Sequence, residues 1–265
     1  MSLKGFISDC NKTLIDGTGQ GVDKARDYLL KRSLLENSWN SHIIGYCEYN
    51  QQIPDAVRFF GNELREERWD MSGKLRSRLI VPVFDEFGKA IGLASRYPSF
   101  ESGNVWWNLP KPFYKGNHLY LINKARKAAY ESNKIYVVEG YADALMLHQE
   151  GLANVVALMG TALTLRKLGT IARYCNNICL AFDVDKNESG QKALSTSVSL
   201  LKKFDFYDKL SVINSMPVGQ DPADYVKENG IKSFLEMEKV LSEEEIREIM
   251  ISQAKQKNKD IIYAK

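Results

Sequence analysis

The spacing of apolar and polar residues changes character along the chain. Over residues 22 to 70 apolar positions recur at helical intervals in polar surroundings. In VDKARDYLLKRSLL, Ala25, Leu29, Leu30 and Leu34 share one face, predicting a small helical subdomain. At RLIVPVFDEFGKAIGLASRYP the texture becomes that of strands: Leu79 to Phe84 and Ala90 to Ser95 are separated by Asp85-Glu86-Phe87-Gly88-Lys89 and predict a hairpin. Glu101 to Lys115 is irregular, broken by glycine and proline, and carries Trp106, Trp107 and Asn108. A short helix, Ile122 to Ser132, leads into the second half.

From Lys134 strand and helix alternate. IYVVEG (135 to 140) precedes the helix YADALMLHQEG, NVVALMG precedes LTLRKLGTIARY, NICLAFDVD precedes SGQKALSTSVSLLKKF, and KLSVIN ends near Asn214. This order predicts a four-stranded, mainly parallel sheet with helices on its faces. The tail from Gly219 reads as helical, with a last helix from Ser242 to about Lys257 opened by Ser-Glu-Glu-Glu. The expected organisation is an α+β N-terminal subdomain (1–133), an α/β domain (134–216) and a short helical C-terminal segment (217–265).

Composition adds mainly exclusions. With 44% hydrophobic and 26% charged residues the chain is ordinary globular material. Its longest apolar runs, Leu79 to Phe84 and Asn154 to Met159, are far short of the roughly 20 residues of a membrane helix. MSLKGFISDC has no signal-peptide pattern, so a cytoplasmic protein with no membrane partner is expected. Four cysteines without a CxxC pair offer neither a disulfide framework nor a zinc ribbon, so no zinc is expected. Net charge is only +3, but it is unevenly spread: residues 71 to 134 hold 11 basic and 4 acidic side chains, and 136 to 265 hold 16 basic and 18 acidic. Such a basic stretch is the footprint of a phosphate-binding surface or simply a solvated face.

The candidate chemistry lies at the predicted carboxyl ends of the strands, where ligands of parallel sheets bind. Glu139-Gly140 ends the first strand and Asp143 follows in the first helical turn. Asp183-Val184-Asp185 ends the third, with period-2 geometry aiming both aspartates to one side. Asp221 and Asp224 follow the fourth in GQDPADY. Anions gathered on one edge are costly unless a divalent cation neutralises them, and oxygen ligands without His or Cys point to Mg²⁺ or Mn²⁺. Gly160-Thr161 after the second strand is a plain turn or part of the rim of this site.

VEGYADALMLHQEG, ALMGTALT, LAFDVDKNESGQKA and GQDPADYV together resemble the TOPRIM domain shared by primases, topoisomerases, some nucleases and recombination mediators. The likeness continues upstream. ARDYLLKRSL is similar to the ARxYLxKRGL segment of DnaG-type primases, RSRLIVPVFDEFGKAIGLASR to their hairpin, and WNLPKPFYKGNHLYLI to their FxKGxxLYGL segment. The resemblance covers about residues 25 to 230. It implies a Rossmann-like TOPRIM fold and a DNA-directed RNA polymerase that makes short primers on single-stranded DNA from ribonucleoside triphosphates, with two or more Mg²⁺ or Mn²⁺ ions.

Residue by residue, the resemblance implies a catalytic Glu139 with Asp183 and Asp185, and metal ligation by Glu139, Asp143, Asp183, Asp185, Asp221 and, less directly, Asp224, which sits one place beyond the family's aspartate. It implies nucleotide and template contacts at Arg32, Arg76, Arg78, Arg96, Asn108 and Lys115. The chain departs from the family at Val105, where a lysine is usual, and at Ser33, where a glycine is usual. Without a zinc ribbon or a full helicase-binding domain, it is expected to be either the core of a longer primase or, as the starting Met1 slightly favours, a compact, phage-type primase that recruits a zinc module and a replicative helicase in trans. Trp106 and Trp107 are stacking surfaces for bases or packing residues. Two other functions are weighed: a TOPRIM nuclease, which would cut DNA at the same carboxylates, and a non-catalytic single-stranded-DNA-binding replisome adaptor, which the intact acidic set argues against.

Overall fold

The predicted hairpin forms from β2 (Arg78–Phe84) and β3 (Ala90–Arg96), antiparallel with Leu79 opposite Arg96 and Pro82 opposite Leu93. Its turn is closed by Asp85, whose Oδ1 accepts the N–H groups of Phe87 (3.0 Å) and Lys89 (2.9 Å), while Gly88 takes the left-handed conformation that glycine adopts freely. The computed structural model describes residues 2–51, 71–100, 106–109, 114–160, 162–184, 189–205 and 209–263. They divide into two units, Met1–Tyr114 and Lys115–Lys265.

In the first unit the hairpin is the middle of a four-stranded antiparallel sheet, with β1 (Gly45–Cys47) beside β2 and β4 (Trp107–Leu109) beside β3. Helix α1 (Leu3–Asp16), absent from the sequence reading, is capped by Ser2, whose Oγ accepts the Gly5 N–H, and it buries Phe6, Ile7, Cys10 and Leu14. Phe6 and Cys10 join Cys47, Leu75, Ile80 and Leu93 in one core. Gly45 lets α1 come this close, since a Cβ there would lie 2.5 Å from the backbone of Cys10. Helices α2 (Gln20–Lys31) and α3 (Glu36–Ser41) follow the helical pattern. β1 corrects it: three residues are too few to show a period, and pairing with β2 decides their conformation. The remainder of the predicted helical stretch, 52–70, lies outside the described residues.

The division between units falls at Tyr114 and Lys115, earlier than the 133/134 boundary read from the sequence. The reason is that Tyr120 bridges to Ala157, and α4 (Ile122–Ser132) buries Ile122, Ala125 and Ala129 in the core of the parallel sheet. That sheet has the order β6-β5-β7-β8-β9: β5 (Lys134–Val138), β6 (Val155–Ala157), β7 (Asn177–Leu180) and β8 (Lys209–Val212) are parallel, and β9 (Lys239–Val240) is an antiparallel edge. The four parallel strands are those predicted. The two-residue edge is set by pairing with β8 rather than by any pattern of its own.

Helices α5 (Tyr141–Gln149), α6 (Leu165–Ile171) and α7 (Ser189–Phe204) are the crossovers. Ile135, Val137, Ile178, Leu180, Leu210 and Val212 face one core with Leu168, Val198 and Leu201. The C-terminal segment belongs to this unit: α8 (Pro222–Glu236) packs on α5, and α9 (Glu243–Tyr263) packs on α7 and sends Ile246 into the core. The predicted cap of α9 is present, with Ser242 Oγ accepting the Glu245 N–H and Glu245 Oε2 accepting the Ser242 N–H. The four cysteines are buried and unpaired with one another. Among the described residues no helix is long and apolar enough to cross a membrane.

On the other face of the sheet Glu238 accepts from Lys134 Nζ (2.5 Å), Tyr136 Oη (2.8 Å) and Ser211 Oγ (2.5 Å). Burial alone would raise its carboxyl, but the hydrogen bonds from Lys134, Ser211 and Tyr136 outweigh it and hold Glu238 below the usual value. A depressed carboxyl contributes stability above its unfolded pKa and loses it as pH falls through the folded one. Glu238→Ala, which strands three donors, is expected to cost about 1–3 kcal/mol at pH 7 and progressively less below about pH 4. Denaturant melts at the two pH values measure this.

Candidate active site

In the parallel sheet the chain steps from β5 to β6 on one side and then returns past β5 to β7 and β8. The strand order therefore reverses between β5 and β7, and the crevice at their carboxyl ends is where open α/β sheets place their chemistry. Glu139 follows β5 and Asp183 follows β7 at that crevice, joined directly: the Asp183 N–H donates to Glu139 Oε1 at 3.3 Å.

Asp143 is the third acid. It lies in the first turn of α5, where its Oδ2 accepts the Gly140 N–H at 3.0 Å, closing the helix start. Its Oδ1 accepts the Ala223 N–H at 3.3 Å, tying α5 to α8. The residue is buried, and burial first, then the charges of Asp221 and Asp183, push its carboxyl well above the usual range against the two N–H bonds. Asp221 arrives because Val184 and Gln220 form an antiparallel bridge across the ends of two loops. It caps α8, accepting the Asp224 N–H at 2.7 Å, with Pro222 as the first helical residue.

The structure thus gathers Glu139, Asp143, Asp183 and Asp221 on one sheet edge. Asp224 is exposed, one turn into α8, and the charges acting on Asp143 are those of Asp221 and Asp183. Asp185 lies outside the described residues. Among the described residues no three such groups form a finished metal site. What they do form is a crowd of like charges around a buried carboxyl. A divalent cation relieves such crowding, and an all-carboxylate donor set fits a hard, oxygen-preferring one.

Gly190 was not singled out from the sequence, although it supports the crevice. A Cβ there would sit 1.9 Å from the Asp183 carbonyl oxygen and 3.4 Å from Glu139 Oε1. Gly190→Ala is expected to displace Asp183, costing about 1–3 kcal/mol of stability. The same substitution should also remove activity at temperatures where the variant is still folded, which thermal melts beside activity assays would register.

The first unit holds the predicted arginines. Arg32, at the end of α2, lies with its guanidinium 5.8 Å from the Tyr28 ring centroid and 5.4 Å from that of Phe100. Arg96, ending β3, lies 5.9 Å from Tyr28 and 5.7 Å from Trp106, and Arg76 lies 4.9 Å from Tyr49. Asn108 on β4 pairs with Ala94, so it shares a sheet face with Arg96. Burial depresses the Arg78 guanidinium below its ordinary value, opposed by Tyr97. Buried donor nitrogens of all four arginines, Nε of Arg32, Arg76 and Arg96 and Nη1 of Arg78, have no acceptor among the described residues. Buried donors of a charged group are expensive to leave unpaired, so their common condition points to an anionic ligand. Lys115, which opens the second unit, is half-buried.

The Toprim-like family profile matches residues 136–226, the segment that carries the acidic edge. The chain is 32% identical over 226 residues to the DNA primase of Clostridium acetobutylicum, a match covering 81% of this chain and 37% of that protein. The chain is a relative of the bacterial DNA primases.

Two solved primase structures share the fold. The Aquifex aeolicus primase, comprising zinc-binding and RNA polymerase domains, superposes with a TM-score of 0.67 at 23% identity, over 91% of this chain and 63% of that one. The DnaG primase catalytic domain bound to ssDNA superposes with a TM-score of 0.66 at 24% identity, over 88% and 81%. The chain spans well under two thirds of the Clostridium primase. Beyond the acids and arginines, the primase-like core holds aromatic rings that the sequence did not reveal as partners. Tyr28 and Phe100 meet with ring centroids 4.7 Å apart and planes tilted by 36°, and Lys74 Nζ lies 4.4 Å from the Trp107 ring centroid. Tyr28 and Phe100 are 72 residues apart, and only the fold brings them together.

Proposed function

We propose that this chain is the catalytic core of a DNA primase, a DNA-directed RNA polymerase that builds short RNA primers on single-stranded DNA from ribonucleoside triphosphates. The observation that carries the reading is the pairing of features in one chain: a carboxylate edge at a sheet switch point and four arginines whose buried donors find no acceptor among the described residues. A nuclease needs the first; a polymerase that must hold template and triphosphate together needs both. The primase relationship supports the same reading.

In this reading Glu139, Asp143, Asp183, Asp185 and Asp221 hold two or more Mg²⁺ or Mn²⁺ ions, with Asp224 at the margin. Such ions would supply Lewis-acid activation of the primer 3′-hydroxyl and charge stabilisation for the pyrophosphate leaving from the α-phosphate. The Asp183 N–H holds Glu139 in place, and Asp143 ties the ends of two helices to the edge, so the acids need little rearrangement when charge develops. Arg32, Arg76, Arg78, Arg96 and Lys115 hold phosphates, the arginines by paired N–H donors, and Asn108 orients what they hold. The aromatic rings under Arg32 and Arg96 keep the guanidinium planes oriented and offer faces to unpaired bases. The reaction belongs in the cytoplasm, and a zinc-binding module and a replicative helicase take part in it.

The test is primer synthesis on unprimed single-stranded DNA with labelled ribonucleoside triphosphates and Mg²⁺ or Mn²⁺, run with and without an added zinc module and helicase. Short labelled RNA in either arm supports the reading. Metal-dependent shortening of the DNA without RNA in both arms replaces it with a nuclease.

A further inference from the structure

Lysine is seldom fully buried unless its charge is used. Lys167 has no exposed surface, although Leu165 and Arg166 beside it on α6 are exposed. Its Nζ donates to the Leu158 carbonyl at 2.8 Å. Leu158 follows β6, and the next two residues, Met159 (φ 62°) and Gly160 (φ 67°), are both left-handed, a conformation that a side chain such as methionine's disfavours. The Gly160 N–H in turn donates to the Glu139 carbonyl at 3.3 Å, linking this strained turn to the acidic edge. Lys115 approaches the same turn, its Nζ 3.9 Å from where a Cβ on Gly160 would stand. The short helical turn Lys115–Asn117 that carries it is fastened to α6 by Thr164 Oγ1, which donates to the Gly116 carbonyl at 2.6 Å.

We propose that Lys167 is a positioning residue of a phosphate subsite at turn 158–160: Lys115 touches the phosphate, while Lys167 holds the turn from behind and supplies the second positive charge. This rests on the reading of Lys115 as a phosphate ligand. The phosphate belongs either to the template backbone or to a nucleoside triphosphate.

The arrangement makes binding proton-linked. Burial first and the charge of Lys115 second bring Lys167 down to about 7. Among the described residues Lys115 is the charged group that acts on Lys167, turn 158–160 brings no titratable side chain, and Arg166 on its own helix is exposed. A phosphate bound nearby favours the charged ammonium, so binding takes up a proton. Affinity is then highest on the acid side of neutrality and falls as pH rises through that range, by up to about tenfold for each unit that the phosphate raises the pKa.

The experiment measures binding by fluorescence anisotropy from pH 6 to 8.5 for the wild type, Lys167→Arg, Lys167→Met and Lys115→Ala. One arm uses labelled oligothymidylate, whose phosphodiesters do not titrate there, and the other a labelled ribonucleoside triphosphate, read as the difference between variants. In at least one arm the wild type should lose affinity by roughly three- to tenfold more than Lys167→Arg, whose charge is permanent. Lys167→Met should be flat and weak, near the wild-type level at pH 8.5. The arm in which Lys167 matters identifies the source of the phosphate. If wild type and Lys167→Arg share one pH profile in both arms, the inference is overturned, and this comparison decides even if Lys167→Met does not fold. Should Lys115→Ala bind both probes as tightly as the wild type, the reading of Lys115 fails and the inference goes with it. Loss of binding in Lys115→Ala with unchanged Lys167 profiles removes the inference alone.

Discussion

Glu139→Gln is expected to lower ribonucleotide incorporation by about a thousandfold or more while leaving the protein folded and able to bind single-stranded DNA. The size of the effect follows from the role: a carboxylate that helps hold the ions at the reacting oxygens acts where charge develops, and such groups contribute several kcal/mol to the barrier. Retention of the fold follows from the geometry. The Asp183 N–H donates to Glu139 Oε1 at 3.3 Å, and the glutamine carbonyl can accept the same bond. The substitution also removes one anion from the acidic edge, so the melting temperature should hold or rise slightly. Activity within about tenfold of the wild type would remove Glu139 from the catalytic set. Measuring incorporation beside DNA affinity and thermal melts separates loss of chemistry from loss of structure.

Arg96→Ala is expected to weaken binding of single-stranded DNA or nucleotide by about ten- to a hundredfold. Arg96 has a buried Nε with no acceptor among the described residues and its guanidinium 5.9 Å from Tyr28 and 5.7 Å from Trp106, so its plane is held ready for an anion. If the ligand is a phosphodiester, the slope of log affinity against log salt should fall by about 0.7, the share of one neutralised phosphate on a single strand. Arg96→Lys should restore only part of the affinity, because a point charge cannot replace the planar pair of donors. Unchanged affinity and slope in Arg96→Ala would return Arg96 to a packing role on its aromatic neighbours. A nuclease using the acidic edge alone would tolerate the change.

The α/β half was legible because its signals are local. Buried strands such as Tyr136-Val137-Val138 and amphipathic helices such as 189–204 carry their own periods, and acids placed at strand ends converge once the sheet is parallel. β1 and β9 were not legible, since strands of two or three residues owe their conformation to a neighbour's hydrogen bonds. Helix α1 carries the same signal as α2, since its buried residues, Phe6, Ile7, Cys10 and Leu14, recur at helical spacing, so it was legible although unread. The site shows the same divide. Glu139 and Asp183 could be read from strand ends, and the four arginines from the family resemblance. Gly190, Phe100 and Lys167 matter only through what the fold sets against them, respectively a carbonyl, a guanidinium and a turn. The double duty of Asp221 was partly visible, since Asp-Pro is a helix-start signal as well as a candidate ligand.

The central claim is that the acidic edge and the arginines serve one template-directed polymerase. The most direct measurement extends an RNA primer annealed to a single-stranded DNA template, offering one labelled ribonucleoside triphosphate at a time with Mg²⁺ or Mn²⁺, which removes any need for an initiation module. The account predicts that the wild type adds the ribonucleotide complementary to the next template base, that changing that base changes which nucleotide is added, and that Glu139→Gln adds none. Folded, DNA-binding wild-type protein that adds no nucleotide, or that adds nucleotides regardless of the template base, would contradict it.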